Sequence, residues 1–224
     1  PRRRMADFRN YYGQTAGLDG PNDGFSVWNR WLGDDRYVPR TDLSVDEQQA
    51  IARFFSVRCA TFGKPFLNKN NRNAGCLHLL SKAIPQASFL VVRRNPLYVA
   101  QSLIKARQQV QGDKSTGWGL HSHSSTDNAD PLAYVDDVCD QVLRIETEHK
   151  EQLQHIPQDR IIEFTYEEFC DAPAMILRQI VSRIEGLQLK EELIRSELRP
   201  FAKSSVMKLT AAETERLMSR LPVH

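Results

Sequence analysis

The sequence predicts an α/β fold, a parallel β-sheet flanked by helices, and three observations carry that prediction. Residues 88–93 are a strand-sized run with continuous rather than alternating apolar residues, the pattern of a strand buried on both faces, and residues 160–165 read as a second buried strand. Segments with apolar residues at three- and four-residue steps lie between and around them. Strands that alternate with helices are joined by crossovers, which makes them parallel. In such sheets ligands bind beyond the carboxyl ends of the strands, so chemistry is expected in the residues just after each one.

Residues 1–43 are rich in Gly, Asn, Asp, Arg and aromatics, show no sustained period, and read as loops and short helices. Ser44-Val45-Asp46-Glu47 is a capping box, with Ser at N-cap and Glu three later. The helix it opens carries Ile51, Phe54, Phe55 and Arg58 on one face and stops at Gly63. A strand is predicted at 65–68, then a helix over about 73–83 with Cys76, Leu77, Leu79 and Leu80 apolar. Pro85 breaks that helix before the strand at 88–93. Asn95-Pro96 starts the next one, Asn as N-cap and Pro at N1, running to about Val110.

Residues 111–130, dominated by Gly, Ser, His and Asp, read as a surface loop. A long helix over about 131–153 leads through Pro157-Gln158-Asp159 into the strand at 160–165. Asp171 and Pro173 open a helix with Ile176, Leu177, Ile180, Val181 and Ile184 on one face, ending at Gly186. Thr210-Ala211-Ala212-Glu213 is a second capping box before a final short helix. No repeat or low-complexity tract occurs.

The 224 residues suit one domain, taken as 1–224. Lys and Arg number 30 against 28 Asp and Glu, a net charge of +2 that is too mild to imply general nucleic-acid affinity. With 41% hydrophobic residues, disorder is also excluded. No apolar run approaches the roughly 20 residues of a membrane span. Pro1-Arg2-Arg3-Arg4 lacks the apolar stretch that would make it a secretory signal. Cys59, Cys76, Cys139 and Cys170 are far apart and show no ligand spacing, so no metal site is expected. They read as buried free thiols of a cytoplasmic protein, with two disulfides as the alternative. The start at Pro1, without Met, points to a missing N-terminal piece.

Arg93-Arg94-Asn95-Pro96 follows the strand at 88–93 and leads into a helix. An arginine at a strand end beside a helix N-terminus offers a planar cation and free backbone N–H groups to one point, which favours an anion and phosphate above others. Ser102, about two turns along, can add a hydroxyl to the same oxygens. The alternative is an Arg94 paired with a surface carboxylate and an uninvolved Ser102.

Val91-Val92-Arg93-Arg94-Asn95-Pro96, with Ser102 eight residues after Arg94, resembles the 3′-phosphate motif of sulfotransferases that use 3′-phosphoadenosine 5′-phosphosulfate, PAPS. The family pattern is an apolar strand, Arg, Asp or Asn, Pro or Gly, then Ser at plus eight. Arg93 would put that spacing at nine, so Arg94 takes the role. Lys64-Pro65-Phe66-Leu67-Asn68-Lys69-Asn70 resembles the preceding strand, whose terminal lysine approaches the sulfonate. Phe164-Thr165-Tyr166-Glu167-Glu168-Phe169 resembles the Tyr-Glu-Asp-Leu segment, followed as in the family by a proline-started helix. The likeness covers roughly 60–110 and 155–190.

This resemblance implies a P-loop NTPase-like sulfotransferase fold, with 44–224 the cofactor-binding core and 1–43 on the acceptor side. It implies PAPS as donor, 3′-phosphoadenosine 5′-phosphate (PAP) as product and no metal. Arg94, Ser102 and Tyr166 would hold the nucleotide, and Lys69 would both touch it and stabilise the charge leaving the sulfonate. The acceptor would be a small molecule, carbohydrate or peptide, with no nucleic-acid partner. An upstream anchor would move the compartment from the cytoplasm to the Golgi lumen.

The departures are specific. The family's Gly/Ser/Thr phosphosulfate loop is not found: Gly17-Leu18-Asp19-Gly20-Pro21-Asn22-Asp23-Gly24 lacks a preceding strand and a Ser/Thr cluster. It is expected upstream of Pro1. Gly112-Asp113-Lys114-Ser115-Thr116-Gly117 lacks Walker spacing and reads as a turn. Where many relatives have a histidine two residues after the lysine, this chain has Asn71; His121 and His123 are other candidates for a base. Phe25, Trp28, Trp31 and Tyr37 either wall an acceptor site or form local core. Arg30, Arg36 and Arg40 are nearly cancelled by Asp34, Asp35 and Asp42. A non-catalytic binding module for carbohydrate or peptide is the alternative function. A nucleotide kinase is disfavoured by the missing Walker Lys-Ser/Thr.

Overall fold

The computed structural model describes residues 10–11, 14–15, 24–35, 38–124 and 129–222. The chain falls into two compact units, Pro1–Pro85 and Gln86–His224.

In the first unit, β1 (Asn10–Tyr11) and β2 (Gln14–Thr15) pair antiparallel. Helices α1 (Phe25–Leu32), α2 (Val45–Phe62) and α3 (Leu77–Ala83) follow. The Ser44 capping box forms as expected: Ser44 Oγ accepts from the Glu47 amide, and Glu47 Oε2 accepts from the Ser44 amide. The Arg40 guanidinium grips the same carboxylate at 2.7 Å and, with the Ser44 amide, holds it down at about 2. Gly63 ends α2 in the left-handed region, φ 57°, where a side chain would be strained.

Trp28, Trp31, Ile51 and Phe55 are buried and make this unit's core. Trp28 packs on Phe55 at 5.2 Å, and Phe55 on Phe66 at 5.1 Å. Trp28 and Trp31 therefore belong to this local core. Tyr37 and Arg36 lie outside the described residues, as do residues 17–23 of the Gly-rich segment.

The strand expected at 65–68 does not form. The segment is irregular, and Leu67 is 81% exposed. A strand exists only where a neighbouring edge accepts its hydrogen bonds. The strands described in this unit, β1 and β2, already pair with each other. The helix expected from about residue 73 begins instead as a 3₁₀ turn, Asn71–Cys76, and becomes α-helical only at Leu77. Arg72, buried in that turn, donates to Asn29 Oδ1 at 2.8 Å and ties the turn to α1.

The second unit bears out the α/β class. β3 (Phe89–Arg93) and β4 (Ile161–Thr165) pair in parallel, Phe89 opposite Ile161 and Arg93 opposite Thr165. The crossover runs through α4 (Pro96–Ala106), a π-helical turn (Arg107–Gln111) and α5 (Ala133–Leu153). After β4 come α6 (Tyr166–Asp171), α7 (Pro173–Arg183), α8 (Glu191–Glu197) and α9 (Ala211–Arg220). Asn95 caps α4 as predicted, accepting from the Leu97 amide at 3.0 Å, with Pro96 at N1.

Two cores serve this unit. Leu97, Ala100 and Ile104 of α4 meet Val135, Val138 and Val142 of α5, with Leu217 of α9. Ile162 and Phe164 of β4 pack on Ile176 of α7. β4 is buried as expected, but β3 is not: Val92 is 55% exposed. Among the described residues β3 has one neighbouring strand, so its apolar run is half covered. All four cysteines are free, with Cys76, Cys139 and Cys170 buried and Cys59 half-buried. No described helix is long and apolar enough to cross a membrane.

Candidate functional site

Because Arg93 pairs with Thr165, the residues that follow them, Arg94 and Tyr166, leave the sheet at the same carboxyl edge. Each stands where a strand turns into a helix. Asn95 caps α4, and Thr165 caps α6 through a capping box with Glu168. These short turns hold both side chains close to the sheet end. The Arg94 guanidinium lies 4.5 Å from the centre of the Tyr166 ring and 5.8 Å from that of Tyr98, so two aromatic faces bracket it.

Arg94 is only partly satisfied. Its Nη2 donates to the Ser204 carbonyl at 2.7 Å, while its buried Nε has no hydrogen-bond partner among the described residues. The segment that supplies this carbonyl runs along α4. The Tyr98 hydroxyl donates to the Ser205 carbonyl at 2.6 Å, and Gln101 Nε2 to the Val206 carbonyl at 3.1 Å. The Ser204 amide in turn donates to the Tyr166 hydroxyl at 3.3 Å.

Of the residues singled out from sequence, Arg94 and Tyr166 meet directly. Ser102 is exposed on α4, one turn beyond Tyr98 on the same helix face, and its hydroxyl makes no hydrogen bond among the described residues. Lys69 belongs to the first unit and is exposed on the irregular segment after Phe66. Nearby in that unit Asn68 is fixed, its Oδ1 accepting from Trp28 Nε1 at 2.9 Å. Tyr98 and the 203–208 segment were not singled out. Tyr98 has a signal, since it lies one turn before Ser102, but nothing local marks what a polar loop will lie across.

Other candidates are engaged elsewhere. His121 Nε2 lies 2.8 Å from Glu148, and His121 adopts a left-handed backbone, φ 55°. The segment at 112–117 is a turn, in which Asp113 accepts from the Ser115 amide and the Thr116 hydroxyl. Among the described residues no cluster of His, Cys, Asp and Glu could hold a metal. A groove of about 800 Å³ runs along the outer face of α2, lined by Arg30, Trp31, Arg53, Phe54, Arg58 and Phe62.

Chemically, the edge of β3 and β4 presents a guanidinium with three hydroxyl groups nearby in sequence or space: Tyr98, Ser102 and Tyr166. It suits an oxyanion. The sequence model described as the sulfotransferase family matches residues 7–191. No curated protein matches the sequence.

Proposed function

The chain belongs to the sulfotransferase family, and from that premise we propose that it moves a sulfonate from PAPS to a hydroxyl or amine acceptor, with Arg94 gripping the ribose 3′-phosphate. One observation carries this reading: the bracketed, half-satisfied Arg94 guanidinium at the carboxyl edge of the parallel pair. A guanidinium fork matches phosphate oxygens, and stacking on Tyr166 holds its plane in place before the ligand arrives. Tyr166 thus positions Arg94, and the Ser102 hydroxyl adds a neutral donor.

In the transfer, the bond between sulfur and the phosphate oxygen breaks as a bond from sulfur to the acceptor oxygen or nitrogen forms. The acceptor loses a proton, and negative charge collects on the departing 5′-phosphate. Lys69 is assigned to that charge, where an ammonium stabilises the transition state more than the ground state. The α2 groove, where Arg30 and Arg58 lie over aromatic rings and Arg53 outweighs Asp46, suits an anionic acceptor.

Calorimetry on Arg94→Ala tests the assignment. PAP should bind about 10- to 100-fold more weakly, the worth of a charged hydrogen-bonded contact, while adenosine monophosphate is little affected. Equal losses for both would remove Arg94 from the 3′-phosphate. Lys69→Ala should lower turnover about 100-fold with nearly unchanged PAP affinity. Unaltered turnover would end that role.

A further inference from the structure

We infer that α1 positions Lys69: the hydrogen bond from Trp28 to Asn68 and the buried fork of Arg72 fix the chain on either side of that lysine, doing by side chains what a strand ladder would do. The inference rests on the reading in which Lys69 meets the departing phosphate charge.

A lysine ammonium rides on a flexible four-carbon stem and has little precision of its own. The precision has to come from the backbone that carries it. Residues 65–70 have no regular secondary structure, yet every second residue of this stretch is pinned. The Phe66 ring packs on Phe55 at 5.1 Å, with the Arg58 guanidinium 4.9 Å from its centre. Asn68 Oδ1 accepts from Trp28 Nε1 at 2.9 Å. Asn70 Oδ1 accepts from the Arg72 amide at 3.0 Å, and the Asn70 carbonyl from the Asn73 amide at 3.1 Å. Arg72, only 4% exposed, donates from Nη1 to Asn29 Oδ1 and from Nη2 to the Gly33 carbonyl. Between these pins Leu67, Lys69 and Asn71 are exposed. Alternation of this kind is the period of an extended chain, whose neighbouring side chains face opposite ways. Lys69 therefore faces outward with a held residue on each side.

Both holds lead back to α1. Trp28 is 4% exposed and packed on Phe55 at 5.2 Å, so its N–H is a fixed point rather than a mobile donor. Gly24 caps the same helix in the left-handed region, φ 63°, and a side chain there would come within 3.4 Å of Asn68 Nδ2. The opening turn of α1 thus borders the Asn68 amide beside its hydrogen bond to Trp28. Asn29 and Gly33, which receive Arg72, lie one residue after Trp28 and at the end of the helix. Trp28 and Asn68 are positioning residues: the indole ring belongs to the core, and its N–H serves the lysine.

Cleavage of PAPS with water as the acceptor, together with amide hydrogen exchange on the full chain, tests this. The oxygen of water bonds to sulfur, the bond from sulfur to the phosphate oxygen breaks, and sulfate and PAP result with protons released. The rate then follows the departing charge whatever the natural acceptor is. Trp28→Phe keeps a ring on Phe55 and removes the donor. Asn68→Ala removes the acceptor from a half-buried site and spares the core. Each should lower kcat about tenfold at unchanged KM for PAPS, less than the roughly 100-fold that a 1 Å misplacement can cost. Each should also speed exchange at the Arg72 and Asn73 amides, while the Ile84 amide at the end of α3 stays protected. In a Lys69→Ala background neither substitution should lower kcat further, because a positioning residue acts only through what it positions. Unchanged kcat or unchanged exchange in Asn68→Ala overturns the inference. So does a further tenfold loss in Lys69→Ala, and so does a Trp28→Phe protein that loses Tm but keeps its kcat. An unaltered rate in Lys69→Ala alone ends the role of Lys69, and the positioning with it.

Discussion

The second unit contains two charged knots that look alike on paper and are built for opposite purposes. At the start of α9, Glu213 is 2% exposed, and both of its oxygens are fully used. Oε1 accepts from Lys114 at 2.7 Å and from the Tyr134 hydroxyl at 2.5 Å, and Oε2 accepts from the Thr210 amide and hydroxyl at 2.8 Å each. At the edge of β3, among the described residues, Arg94 has a neutral carbonyl on Nη2 and no hydrogen-bond partner on Nε. A knot whose every lone pair is matched by a charged or well-aimed donor holds structure together. One that is half-matched, reachable and closed by exposed backbone is able to take a ligand.

Incompleteness alone does not make a site. Arg107 is fully buried, makes long bonds of 3.4 and 3.3 Å to Lys114 and Gln141, and has an Nε with no hydrogen-bond partner among the described residues. No solute reaches it, and burial pulls its pKa down despite Asp137. Exposure of the closing segment is what distinguishes Arg94.

The largest test of this contrast is Glu213→Gln. It leaves Lys114 and Tyr134 facing a neutral amide and should lower Tm by about 5–10 °C, from a loss of roughly 2–3 kcal/mol. Arg94→Ala, by comparison, should shift Tm by no more than about 2 °C while removing most PAP affinity. A large Tm loss in Arg94→Ala would make the two knots equivalent and erase the distinction.

Acid titration sharpens it further. Burial opposes the charged form of Glu213, but the donors around it prevail and hold its carboxyl down at about 2 from an ordinary 4.5. A depressed carboxylate stabilises the fold fully above its unfolded pKa and loses that contribution as pH falls through its folded one. Stability should therefore decline between pH 4.5 and 2, and the decline should be shallower in Glu213→Gln, with Glu47 of the first unit supplying part of what remains. Acid curves of equal depth in both proteins would show that Glu213 is not held as described.

The smallest effect concerns the helix under the Arg94 site. Asn95→Ala removes the cap on α4 and should cost about 1 kcal/mol in chemical denaturation, without altering the acid decline. No loss would mean that the helix start rests on Pro96 and its packing alone.

How much was legible follows from the range of each interaction. The starts of α2, α4 and α9 were readable because a cap involves residues within four positions of one another. The box at Thr165 and Glu168 carries the same signal, but the six-residue α6 that it opens is too short to show a helical period of its own. The failed strand at 65–68 is the opposite case. Its residues favour extension, but a strand depends on an edge elsewhere in the chain. β3 shows the same limit: a continuous apolar run announces a strand without saying how many neighbours cover it.

By itself, then, the sequence determined the α/β class, the helix starts, and an arginine placed where a strand gives way to a helix. These are local matters of periodicity, capping and residue chemistry. Only the tertiary structure decided that Arg93 aligns with Thr165, which brings Arg94 against Tyr166, and that the carbonyls of Ser204 and Ser205 close over Arg94 and Tyr98. Those pairings join residues 72 to 110 positions apart. Backbone carbonyls are the same in every residue, so no side-chain pattern announces which donor they will meet.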